Sequence, residues 1–93
     1  MSNATANGQP KVVMYTSPGC PYCTGAKSLL ARKGVEFEEI RVDLEPALWA
    51  EMEMRSQRDT VPQTFIGEHH VGGFDDMVEL DMEGELDTLL GIA

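Results

Sequence analysis

Two cysteines separated by two residues, Cys20-Pro21-Tyr22-Cys23, are the only thiols in a chain of 93 residues. A pair at this spacing can bind a metal ion or cycle between dithiol and disulfide. Zinc normally takes four ligands, and the other soft candidates, His69 and His70, are neighbours in a stretch that reads as strand. They point to opposite faces, so at most one could join the cysteines. No metal is therefore expected, and the two histidines read as solvated strand residues. Redox exchange is the better reading. Cys20 falls where a strand's turn becomes a helix, facing the unpaired N–H groups of the first turn and the positive end of the helix dipole. That environment favours thiolate over thiol and makes Cys20 the nucleophile that attacks a disulfide sulfur. Cys23, one turn inside, is expected to stay a thiol until it resolves the mixed disulfide. Pro21 restricts the intervening backbone and removes one donor, and Tyr22 offers a ring to line a groove.

The elements that must position this pair are short and well marked. Lys11 to Thr16 is a β-branched and aromatic run, a buried strand that Ser17-Pro18-Gly19 breaks. From Pro21, the residues Tyr22, Ala26, Leu29, Leu30 and the stem of Lys33 recur on one face of a helix, with Pro21 in its first turn and Gly34 at C′. Val35 to Val42 reads as a second strand, irregular at Glu38-Glu39, and Pro46 opens a helix ending near Ser56 with Leu48, Trp49 and Met52 inward. Trp49, Met52 and Met54 read as packing residues. Thr64 to Ile66 and His69 to Val71 form a hairpin across Gly67-Glu68. Asp75 to Leu90 is helical, and Gly84 makes it two short helices or one bent one. The order β-α-β-α-β-β-α predicts an α/β domain with a central four-stranded mixed sheet, one parallel pair and helices on both faces. Val12, Met14, Leu29, Leu30, Phe37, Phe65 and Leu80 are the expected core. Residues 1–10 read as a disordered lead-in, and 11–93 as one domain.

Charge narrows the partners. The chain has 7 Lys and Arg against 16 Asp and Glu, a formal charge of -9. Residues 1–58 hold every basic side chain and a matching number of acids, so the whole excess lies in 59–93. Such a surface repels phosphate backbones and anionic lipid, so neither nucleic acid nor membrane is an expected partner. No segment approaches the roughly 20 apolar residues of a membrane span, and residues 1–10 lack the features of a signal peptide. A cytoplasmic home is expected, where a close cysteine pair is catalytic or metal-binding rather than a permanent staple.

Taken together, Tyr15-Thr16, Cys20-Pro21-Tyr22-Cys23, Ala26-Lys27, Leu29-Leu30, Thr60-Val61-Pro62-Gln63, Phe65-Ile66 and Gly72-Gly73 with Asp75-Asp76 resemble a dithiol glutaredoxin from about Lys11 to Leu90. The resemblance implies a thioredoxin-like fold and glutathione as co-substrate. It implies a cis Pro62, with the Val61 N–H and C=O pairing to the cysteinyl backbone of glutathione as an added strand. It further implies that Gly73 allows close backbone approach, that the N–H groups of Phe74 and Asp75 receive the γ-glutamyl carboxylate, and that Asp76 takes the ammonium group. Asp75 would also serve as an ordinary N-cap. Tyr22 and Thr60 complete the implied groove. Many relatives carry a Lys three residues before the first cysteine, where this chain has Ser17. Lys27 and Arg58 are the nearest cations to replace it, and Arg58 is the preferred partner of the glycyl carboxylate, ahead of Gln57. The implied activity is reduction of protein–glutathione mixed disulfides and protein disulfides by a monomer, with glutathione reductase acting indirectly. Two other uses of the scaffold are a redoxin served by thioredoxin reductase and a dimer holding a [2Fe-2S] cluster. The Gly72 to Asp76 run speaks against the first, and Pro21 against the second.

Overall fold

Strand β1 (Val12–Thr16) is buried along its whole length because helices cover both faces of the sheet around it. Its alternation separates two cores: Val12 and Met14 point to one face, Val13 and Tyr15 to the other. The computed structural model describes residues 10–93, so the expected lead-in lies, apart from Pro10, outside the described residues. Helix α1 (Pro21–Arg32) follows β1 and leads to β2 (Glu38–Arg41), which pairs parallel to β1. Helix α2 (Pro46–Ser56) is followed by β3 (Gln63–Ile66) and β4 (His69–Gly72), an antiparallel hairpin whose first strand also runs antiparallel to β1. Helices α3 (Phe74–Met82) and α4 (Glu85–Leu90) close the chain, and the strand order is β2-β1-β3-β4.

The first core joins Ala26, Leu29 and Leu30 of α1 to Met77 of α3 and Leu86 and Leu90 of α4, over Val12, Met14, Ile66 and Val71. The second puts Met52 of α2, with Leu48 and Trp49, on Val13, Tyr15, Val42 and Phe65. Trp49 therefore packs as expected, whereas Met54 is 76% exposed and does not. Phe37 and Leu80 are half-buried against the first core rather than inside it.

Strand β2 begins three residues later than its alternation suggests. Gly34 has φ +73 and the Val35 N–H closes back on the Leu30 carbonyl, so the chain is still finishing α1 where Val35 enters the core. The final segment is two helices. Gly84, at φ +78, turns α3 into α4, and Lys33 Nζ reaches both Asp81 of α3 and Asp87 of α4 at 2.7 Å.

Candidate active site

The turn between β1 and α1 places Cys20 at the N-cap in extended conformation, and Pro21 starts the helix. Cys20 Sγ accepts the Cys23 N–H at 3.1 Å, the bond a capping side chain makes to the first turn. It lies 3.7 Å from the Val61 carbonyl oxygen, to which it donates as a thiol. Cys20 is half-exposed, while Cys23 is 2% exposed. Burial, reinforced by the neighbouring Cys20, pushes the Cys23 thiol up to about 11. At neutral pH Cys23 is thus a reserve thiol, and the pair has the asymmetry that attack followed by resolution requires.

Val61 arrives beside the sulfur through a well-anchored loop. Buried Ser56 ends α2 with its hydroxyl donating to the Met52 carbonyl and accepting the Arg58 N–H. The Val61–Pro62 peptide is cis. On the other side of the groove, α3 starts at Gly73. Its N–H donates to Asp76 Oδ2 at 2.9 Å, so the N3 carboxylate reaches back to cap its own helix. Gly73, not Asp75, is the N-cap, because the chain is still extended there and Asp75 already lies in the first turn. Arg58 Nη1 meets the same Asp76 oxygen at 2.8 Å, tying the loop to the helix. This bond, with the Gly73 N–H, holds the Asp76 carboxyl below the usual carboxylate range.

A cavity of about 310 Å³ lies between these elements. Tyr22 lines it from α1, Arg58, Thr60, Val61 and Pro62 from the loop, and Gly73, Phe74, Asp75 and Asp76 from the start of α3. Every residue that the resemblance implies for the groove is in this wall. Tyr22 is 60% exposed, so it flanks the opening rather than filling the inner helix face. Arg58 also borders an adjoining hollow with Glu53, Gln57 and Asp59. Lys27 is elsewhere. Its Nζ is 2.9 Å from Glu39, whose Oε2 also accepts from the Thr16 hydroxyl at 2.6 Å. Among the described residues, no group of three or more His, Cys, Asp or Glu is placed to hold a metal ion.

The glutaredoxin family profile matches residues 12–71. The chain belongs to the glutaredoxin family. A glutaredoxin of Pseudomonas aeruginosa is 54% identical over 81 residues, covering 87% of this chain and 96% of that relative. The solution structure of a Brucella melitensis glutaredoxin superposes with a TM-score of 0.82 at 55% identity, over 95% of this chain and 96% of its own. The crystal structure of a buckwheat glutaredoxin–glutathione complex superposes with a TM-score of 0.81 at 30% identity, over 88% of this chain and 77% of its own. The fold is thioredoxin-like, and the family's activity is that of a thiol–disulfide oxidoreductase.

Three features of this glutaredoxin escaped the reading of residue types. His70 is not a solvated strand residue: its ring stacks on Phe65 at 4.8 Å, and burial, then Arg58, lowers its pKa. The Arg58–Asp76 pair spans 18 residues and has no local signature. Gly25 did carry a signal, since glycine inside a helix marks a close approach. A Cβ there would lie 3.1 Å from Phe74 Cε1 and Cζ, so Gly25 seats the ring that walls the cavity. Gly25→Ala improves helix propensity by roughly 0.5–1 kcal/mol while crowding Phe74. The expected result is a melting temperature within a few degrees of wild type and a KM raised at least about threefold. Steady-state kinetics beside a thermal melt checks this; an unchanged KM would mean that Phe74 yields freely.

Proposed function

We propose that this chain is a glutathione-dependent thiol–disulfide oxidoreductase that reduces protein–glutathione mixed disulfides and protein disulfides. One observation supports this most: the wall beside Cys20 offers, within a single cavity, an open backbone segment at Val61, a helix N-terminus at Phe74 and Asp75, a carboxylate at Asp76 and a guanidinium at Arg58. A zwitterionic tripeptide with two carboxylates and one ammonium needs that set of partners. The Val61 N–H and C=O suit the cysteinyl backbone, the α3 N-terminus the γ-glutamyl carboxylate, and Asp76 the ammonium. Arg58, already turned to Asp76, takes the glycyl carboxylate with its other N–H donors. The buckwheat relative is a glutathione complex at the same fold.

In the monothiol route the Cys20 thiolate attacks the glutathionyl sulfur. A Cys20–glutathione disulfide forms, the sulfur–sulfur bond between glutathione and the protein breaks, and the departing protein thiolate takes up a proton. A second glutathione thiolate then attacks the glutathione sulfur, freeing Cys20 and leaving oxidised glutathione for glutathione reductase. In the dithiol route Cys20 forms a mixed disulfide with the protein. Cys23 loses its proton and displaces the protein thiolate, and two glutathiones reduce the Cys20–Cys23 disulfide. The reaction belongs in a reducing compartment such as the cytoplasm, and no helix of the described residues is long and apolar enough to cross a membrane.

Cys23→Ser separates the routes. The variant is expected to keep the deglutathionylation rate within about threefold and to lose protein-disulfide reduction by at least about a hundredfold. A glutathione-coupled assay on both substrates, compared with turnover by thioredoxin reductase, checks it. Loss of both activities would remove the division of roles, and preferential turnover by thioredoxin reductase would remove the glutathione reading.

A further inference from the structure

Gln63 opens β3 one residue after Pro62, is 0% exposed and is not part of the cavity wall. A buried primary amide must place two N–H donors and one carbonyl oxygen. The Thr60 carbonyl can only accept, so the Gln63 atom 3.0 Å from it is the amide nitrogen, which also lies 3.2 Å from Thr60 Oγ1. That turns the amide oxygen to His70, 2.7 Å from Nε2. Since the amide oxygen only accepts, neutral His70 carries its proton on Nε2. Acidification adds the second proton at Nδ1 and leaves the bond intact. His70 is itself held by its stack on Phe65, whose ring has the Arg55 guanidinium 4.1 Å from its centroid. A chain of contacts thus runs from the sheet through His70 and Gln63 to Thr60, next to the Val61 carbonyl that lies 3.7 Å from Cys20 Sγ.

We propose that Gln63 is a positioning residue for disulfide exchange: by holding both acceptors of Thr60, it sets the Val61 backbone at the separation from Cys20 Sγ that an incoming disulfide must match. The residue touches no substrate. The inference holds for any disulfide whose backbone pairs with Val61, and in its glutathione form it rests on the reading above.

The test is Gln63→Glu, which keeps the size and reverses the donors. An ionised carboxylate aims lone pairs at the Thr60 carbonyl, whereas a protonated one recovers a donor. Burial raises the pKa of a carboxyl at this position, opposed by His70, whose Nε2 lies 2.7 Å from the present amide oxygen and which itself feels Arg58, Asp76, His69 and Arg55. At pH 7.5 the KM for a glutathionylated peptide is expected to rise about tenfold with kcat within about twofold. The ratio to wild type should narrow as pH falls toward about 5.5, whereas Gln63→Met should show the KM defect at every pH. His70→Phe keeps the stack, removes the donor to the amide oxygen and should raise KM about threefold, which preserves the test if the Gln63 variants fold poorly. Running the series also on a mixed disulfide without glutathione separates the two ideas. A wild type indifferent to glutathione overturns the functional reading, while the KM ratios on the simple disulfide still test Gln63. Unchanged KM in Gln63→Glu and His70→Phe, or equal, pH-independent defects in the Glu and Met variants, overturns the proposal.

Discussion

Cys20→Ser is expected to abolish disulfide exchange by either route while leaving the fold as it is. The chemical loss is complete because Cys23 cannot substitute: it is 2% exposed and its thiol is pushed up to about 11, so it offers neither access nor thiolate at neutral pH. A serine hydroxyl does not carry the sulfur–sulfur exchange, and removal of a nucleophile costs at least about three orders of magnitude in rate. Structurally the site tolerates the change. Cys20 is half-exposed, and its sulfur caps α1 by accepting the Cys23 N–H at 3.1 Å. Serine is among the best residues for that bond, so stability should stay within about 1 kcal/mol of wild type. Coupled turnover of a glutathionylated peptide and a protein disulfide, with a thermal melt as control, decides it. Residual exchange above about 1% of wild type would mean that Cys23 can attack unaided, contrary to its burial.

What the residues disclosed in advance follows from where the information resides. The ends of α1 were legible because Pro21 and Gly34 have backbone preferences that act locally. The start of β2 was not, because Val35 and Phe37 alternate as a strand would while the Val35 N–H is bonded back to Leu30. At the site, the cysteines announce themselves by type and spacing. The groove is built largely from main chain, at Val61, Phe74 and Asp75, and amide groups leave no mark in residue type; only the family pattern pointed to them. Side-chain pairs brought together by the fold were out of reach. Lys27 and Arg58 were both candidate cations, with Arg58 preferred, but neither partner was legible: Lys27 pairs with Glu39 outside the groove and Arg58 with Asp76 inside it. The alternation that sent His69 and His70 to opposite faces was sound, but which face holds Phe65 is a property of the sheet register.

Gly72→Ala should be the most destabilising small substitution near the groove. Gly72 has φ +104, which an L side chain reaches at a cost of about 1–3 kcal/mol. A Cβ would also stand 2.5 Å from Asp76 Oδ2 and 3.1 Å from Arg58 Nη1. Asp76 must then leave, and with it go the cap on the Gly73 N–H, worth about 1 kcal/mol, and the bond to Arg58. That pair is 46% and 40% exposed and contributes little stability itself, so its loss is felt in the groove instead. The sum is a loss of roughly 2–4 kcal/mol, or a fall in melting temperature on the order of 10–20 °C for a domain of this size. Gly84→Ala is the matched control, because Gly84 has φ +78 with nothing within 4 Å of its Cβ position. It carries the backbone cost alone, so the difference between the two variants measures the collision. Asp76→Ala removes the group that is struck, and in that background Gly72→Ala should cost at least about 1 kcal/mol less than in wild type. Additive losses in this double-mutant cycle would show that Gly72 is required for its backbone angle only, and that the Asp76 carboxylate can move aside without strain.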